Sequence, residues 1–127
     1  MFHVERKREC MYILTVDAHF DAAHRLREYP GECERLHGHT WKVAVTVKAN
    51  ELNELGLSID FKNIAEILDE VVGRFDHQTL NEMEEFAELN PTAENLARML
   101  FDFIAEKIND NKVRVYSVTV SEGERYH

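Results

Sequence analysis

Positive charge is scarce in this sequence: 15 Lys and Arg face 24 Asp and Glu, for a formal net charge of −9. Such a balance excludes a general nucleic-acid-binding surface unless a local basic patch supplies one. The one basic cluster, Arg6-Lys7-Arg8, is short and flanked by Glu5 and Glu9, and reads as a solvated arm. A few Arg and Lys side chains converging on a phosphate within one pocket remain compatible with the overall charge. Long apolar runs are also missing. No stretch approaches the roughly 20 apolar residues of a membrane span, and the charged first nine residues contain no continuous apolar core, so neither a membrane segment nor a secretory signal is expected. Cysteine is limited to Cys10 and Cys33, too few for a disulfide framework, which points to reduced thiols and a cytoplasmic location. Internal repeats and low-complexity segments are absent from the sequence as well.

What is present fits one water-soluble domain, since 127 residues can bury a core of their own but leave little room for a second. Residues 1–11 read as a charged N-terminal extension and 12–127 as the domain. From Tyr12 to Phe20 the residues Ile13, Leu14, Val16 and Phe20 suggest a strand continuing toward His24. After the turn signal Tyr29-Pro30-Gly31, the segment His39 to Lys48 alternates Val43, Val45 and Val47 with Ala44, Thr46 and Lys48, the period of a strand with one buried face. Ser58 and Asp60 offer caps for a helix over about Asp60 to Arg74, whose apolar face runs through Phe61, Ile64, Leu68, Val71, Val72 and Phe75. A second helix starts at Pro91-Thr92, carries Leu96, Leu100, Phe103, Ile104 and Ile108, and ends at Asn109-Asp110-Asn111. Val113, Val115, Val118 and Val120 form a last strand that ends near Glu122. The order ββααβ predicts an α+β layer, an antiparallel sheet with both helices on one face.

Chemistry gathers around histidine. His37 and His39, two apart in a strand, share a face, so both imidazoles can point at one ion. An antiparallel pairing brings His24, at the end of the first strand, beside them, and three imidazoles with an open fourth position form a catalytic zinc arrangement. Cys33 admits two readings: a fourth ligand closing a structural Cys-His3 site, or a thiol whose pKa a nearby cation lowers for proton transfer. Asp76-His77 follows the first helix, where a carboxylate beside an imidazole can hold its tautomer. A turn or helix-end feature is the plainer reading of that pair, and a solvated carboxylate the plainer reading of Glu122. His3, His19 and His127 have no partner pattern.

Taken as an ordered set, Phe20-Asp21-Ala22-Ala23-His24-Arg25-Leu26, Cys33-Glu34-Arg35-Leu36-His37-Gly38-His39, Asp76-His77 with Leu80-Asn81, and Asn90-Pro91-Thr92-Ala93-Glu94 resembles the 6-pyruvoyl/6-carboxy-tetrahydropterin synthase family across about residues 12–123. The resemblance implies a tunnelling fold assembling into an oligomeric barrel, a homo-oligomer (trimer or hexamer) with active sites between subunits. It implies Zn2+ on His24, His37 and His39, Cys33 as the proton-transferring thiol, Asp76 with His77 as the second acid/base pair, and Glu122 as the anchor of the pterin ring. The substrate it implies is a pterin triphosphate, 7,8-dihydroneopterin triphosphate. Three residues between Cys33 and His37 resemble the 6-carboxy branch, which cleaves a carbon–carbon bond on the way to queuosine and other deazapurines. Rival expectations are the 6-pyruvoyl branch, an aldolase-like cleavage on the same fold, and a non-catalytic pterin- or zinc-binding protein. A cysteine hydrolase built on Cys33 and His77 would leave the three histidines unexplained.

Overall fold

The computed structural model describes residues 2–6, 10–28, 35–50, 60–110 and 112–123. In chain order the elements are β1 (Phe2–Arg6), β2 (Cys10–His24), β3 (His37–Ala49), α1 (Phe61–Gly73), β4 (Gln78–Thr79), α2 (Ala93–Ile108) and β5 (Val113–Glu122). Two single-turn 3-10 helices, Leu80–Glu82 and Glu84–Phe86, lie between β4 and α2. The sheet runs β1-β2-β3-β5 with antiparallel neighbours, and the two-residue β4 joins the far end of β2 in parallel.

Alternation decides which face is buried. Leu14, Val16, Phe20 and Ala22 of β2 point to the same side as Trp41, Val43, Val45, Val47 and Ala49 of β3, and all are buried. Helix α1 packs over β2 and α2 over β5, and the helices touch each other, which places both on that side as an α+β layer. Asp60 caps α1 by accepting from the Lys62 N–H at 3.0 Å, while Ile64, Leu68, Val71 and Val72 face the sheet. Thr92 caps α2 through the Asn95 N–H at 3.1 Å, with Leu96, Leu100, Ile104 and Ile108 buried. Phe61 departs from the expected apolar face: at the first position of α1 it is exposed. The alternative cap Ser58 lies outside the described residues.

The spacing of the valines in β5 has a physical consequence. Val113 and Val115 are in phase, and so are Val118 and Val120, but the step from 115 to 118 breaks the period of two. A β-bulge absorbs the break: Val47 pairs with Val115 and Thr46 with Ser117, leaving Tyr116 as the extra residue. Both valine pairs thereby reach the helix side, and Tyr116 turns outward, where the Lys48 ammonium sits 3.5 Å from its ring centre.

The N-terminal segment adds a strand to the expected order ββααβ: Phe2–Arg6 runs antiparallel to Cys10–Leu14. Charge concealed it, because a strand on a sheet edge needs backbone pairing rather than an apolar face. Lys7, Arg8 and Glu9 lie outside the described residues.

The core is centred on Trp41, fully buried, stacked 6.1 Å from Phe20 with only 6° between the rings, and donating its Nε1–H to the Ala22 carbonyl. Phe75 packs on Phe20 and Phe86 on Phe75. Among the described residues no helix is long and apolar enough to cross a membrane. Trp41 touches both sheet neighbours and the histidines beyond, so Trp41→Ala is expected to cost about 3–5 kcal/mol; chemical denaturation checks this, read against the wild type under the same conditions.

Candidate metal and acid/base site

The alternation that buries the core also delivers the histidines. His24 is in phase with Phe20 and Ala22, and His37 and His39 are in phase with Trp41, so all three imidazoles emerge on the helix-bearing face at one end of the sheet. The antiparallel register sets His24 opposite His37 and Ala22 opposite His39. One potential ligand atom from each histidine lies within 4.8 Å of the others. Ring centres are 4.6 Å apart for His24 and His37, 4.7 Å for His37 and His39, and 5.3 Å for His24 and His39.

Their hydrogen bonds leave nitrogens free for a ligand. His24 Nδ1 is 2.7 Å from the Pro91 carbonyl, and a carbonyl can only accept, so the proton resides on Nδ1 and Nε2 carries the lone pair. His37 repeats the device with the Arg35 carbonyl at 2.7 Å. The Nε2 atoms of His24 and His39 are buried and have no hydrogen-bond partner among the described residues. Unpartnered buried nitrogens are costly unless something occupies them, which is the requirement a metal ion satisfies. Burial holds the His24 imidazole below its ordinary pKa of 6.5 despite the opposing Pro91 hydrogen bond and the Glu122 charge; burial does the same at His39, against the pull of Glu122. Both therefore favour the neutral form that binds metals. Glu122, at the end of β5, lies with Oε2 3.9 Å from His39 Nε2.

Asp76 and His77 come from the turn after α1 and are fixed by β2. The Asp21 N–H donates to Asp76 Oδ1 at 2.9 Å, and the His77 N–H donates to the Asp21 carbonyl at 2.6 Å. Asp76 Oδ2 is 3.0 Å from His77 Nδ1. The Asp21 N–H, followed by the His77 contact, holds the Asp76 carboxyl below the usual carboxylate range. His77 adopts φ 58°, a left-handed conformation uncommon outside glycine, in the turn that feeds β4. His77 is exposed and shares with His39, Asp21, Thr40 and Gln78 the wall of an open cavity of about 540 Å³. A neighbouring cavity of about 500 Å³ is bordered by Glu122, Glu94, Thr92, Leu26 and Val118. Of the residues singled out from the sequence, His24, His37, His39 and Glu122 form one group and Asp76 with His77 another, and His39 and His77 both border the 540 Å³ cavity. Cys33 lies outside the described residues.

Several supporting residues carried no role in the sequence reading. The Asn81 side chain accepts from the Arg25 N–H and donates to its carbonyl, at 2.8 and 2.9 Å; Asn90 brackets Arg27 in the same way, at 2.9 and 3.1 Å. Two side-chain amides thus act as strand mimics that continue β2 beyond His24. With the Pro91 carbonyl on His24, they explain why Leu80-Asn81 and Asn90-Pro91-Thr92 belong with the histidines.

The shifts at His24 and His39 have a definite sign. Both imidazoles bind protons less readily folded than unfolded, so the unfolded chain takes up more protons below pH 6.5 and the metal-free protein loses stability as pH falls through that value. Denaturant midpoints of metal-free protein across this range are expected to fall with acidification; replacing His24 and His39 with Gln is expected to flatten the dependence.

Comparisons with known proteins bear on this geometry. A family model described as 6-pyruvoyl tetrahydropterin synthase matches residues 13–126. The putative 6-carboxy-5,6,7,8-tetrahydropterin synthase of Archaeoglobus fulgidus is 39% identical over 106 residues, covering 81% of this chain and 85% of that protein. The dihydroneopterin monophosphate aldolase of Pyrococcus furiosus is 35% identical over 112 residues, covering 86% and 88%. Among solved structures, the 6-pyruvoyl tetrahydropterin synthase of Caenorhabditis elegans superposes with a TM-score of 0.71 over 94% of this chain and all of that one; at 21% identity this likeness speaks to the fold alone. With a family match spanning nearly the whole described domain and relatives above 30% identity over most of its length, the chain belongs to the 6-pyruvoyl tetrahydropterin synthase family.

Proposed function

We propose that the protein is a zinc-dependent 6-carboxy-5,6,7,8-tetrahydropterin synthase, a carbon–carbon lyase that converts 7,8-dihydroneopterin triphosphate into 6-carboxy-tetrahydropterin with loss of acetaldehyde and triphosphate. The observation that carries this reading is the convergence of three imidazoles, two with unpartnered buried Nε2 atoms, with one of them, His39, bordering the same cavity as His77. The name of the relative from Archaeoglobus fulgidus and the three residues between Cys33 and His37 favour the carboxy branch. The product would serve queuosine or other deazapurine synthesis in the cytoplasm. A homo-oligomer, trimer or hexamer, built as a tunnelling-fold barrel would complete the sites between subunits. Residues 1–11 remain in this reading an N-terminal addition to the domain.

His24, His37 and His39 would hold the zinc, and the Pro91 and Arg35 carbonyls keep two of these rings in the ligating tautomer. When bound there, zinc supplies Lewis-acid polarisation of the vicinal hydroxyls on the substrate side chain. Asp76 accepts from His77 Nδ1, leaving Nε2 of that exposed ring to take or give a proton at the side chain. Cys33 would serve as the partner thiol in proton transfer. Glu122 accepts two parallel hydrogen bonds from the ring N–H and exocyclic amino group of the pterin, and so fixes which end of the substrate faces the histidines.

A second reading is favoured by one relative: the aldolase of Pyrococcus furiosus, equally well covered, suggests aldol cleavage of a dihydroneopterin phosphate to a hydroxymethyl pterin. Product identity separates the two. Zinc-loaded protein incubated with 7,8-dihydroneopterin triphosphate is expected to yield 6-carboxy-tetrahydropterin by mass together with acetaldehyde. A hydroxymethyl pterin would support the aldolase reading, a pyruvoyl product the other branch, and ligand binding without turnover a non-catalytic role. Cys33→Ala is expected to lower turnover by about 10²-fold or more while retaining zinc; loss of zinc in that variant would instead support a closed Cys-His3 site.

A further inference from the structure

The Asp76-His77 pair is tied to β2. Two of its hydrogen bonds end on residue 21, whose N–H binds the Asp76 carboxylate and whose carbonyl receives the His77 N–H. Asp21 stands directly opposite Thr40 in the ladder between β2 and β3, and its own carboxylate accepts the Thr40 hydroxyl at 2.6 Å. Thr40 is the residue after His39. One continuous connection therefore runs from the metal-facing strand through Thr40 and Asp21 to Asp76 and His77. Carboxylate oxygens of Asp21 and Asp76 and a ring nitrogen of His77 all lie within 4.8 Å of one another.

We infer that Asp21 is a positioning residue: through its hydrogen bond from Thr40 it locks β2 to β3 at the point where the Asp76-His77 pair is attached, and so fixes the distance between His77 and the three histidines. The inference rests on the reading of His77 as the acid/base group. The need for such a lock follows from the fold. His77 is exposed, its left-handed backbone conformation is one that an L-residue leaves readily, and the strand attaching its turn to the sheet, β4, has two residues. Proton transfer depends on placement to within a fraction of an ångström, so a small drift of this turn would affect the chemical step more than substrate binding.

Asp21→Ala and Thr40→Val, each made in the full-length zinc-loaded protein, remove the side-chain link from either end. The expected result for each is a roughly tenfold or larger fall in kcat with KM little changed, and zinc content equal to that of the wild type. Thr40→Ser and Asp21→Asn, which keep a donor and an acceptor respectively, are expected to restore most of the rate. The double variant Asp21→Ala/Thr40→Val is expected to lose no more than the worse single one, since both break the same contact. A second measurement needs no turnover: the ring nitrogen signals of His77, read by NMR in alkaline buffer, should report the single Nδ1–H tautomer in the wild type and a tautomer mixture in Asp21→Ala and Thr40→Val. Unchanged kcat together with unchanged ring signals in Asp21→Ala would overturn the inference, as would losses that multiply in the double variant or that track zinc content. An inactive wild type would refute the synthase reading, and the ring signals would still decide the role of Asp21.

Discussion

The register between β2 and β3 is the constraint on which the site depends. Side chains alternate faces with a period of two, so a slip of one residue would carry His24 away from His37 and simultaneously drive Phe20 or Trp41 out of the core. The stacked Phe20-Trp41 pair thus does two things at once. It fills the centre of the hydrophobic layer, and it fixes which imidazoles meet at the end of the sheet, where His24 and His39 lie edge-on to the Trp41 ring. The meeting of the three imidazoles and the packing of the core are properties of the same ladder.

Around that ladder, the long connection between α1 and α2 acts as a bracket. It supplies Pro91 to orient His24, the Asn81 and Asn90 amides to extend β2, and His77, with Asp76 beside it, to the cavity that His39 also borders. Arg27 adds its guanidinium to the Asn81 and Leu89 carbonyls, closing the bracket from the β2 side. Most of these contacts involve backbone groups of a segment with little regular structure, whose polar atoms would otherwise need water. The irregular segment is therefore ordered by the edge of the sheet it helps to build.

Much of this was legible in the sequence, for identifiable reasons. The alternation of Val43, Val45 and Val47 and the helical spacing of Leu96, Leu100 and Ile104 each carry the period of their element, and both helices begin at the caps Asp60 and Thr92. The histidine cluster followed from spacing plus an antiparallel pairing. Other features lacked any periodic signal. The strand Phe2–Arg6 carries charge where a buried face would carry apolar residues, and β4 is only two residues long. The bulge at Tyr116 was written in the uneven valine spacing but needed the facing strand to be read. Asn81 and Asn90 bind main-chain groups of residues distant in sequence, Asp21 meets Thr40, Asp76 and His77, and no local pattern encodes such partners.

The zinc reading requires that His24, His37 and His39 bind one metal ion and leave a coordination position open for substrate. X-ray absorption at the zinc edge, on protein loaded with one equivalent of zinc, addresses it directly. Three imidazole nitrogens at about 2.0–2.1 Å, one further light atom and no sulfur are expected. A sulfur scatterer at about 2.3 Å would mean that a cysteine closes the site, and failure to retain zinc would mean that the three imidazoles serve some other purpose.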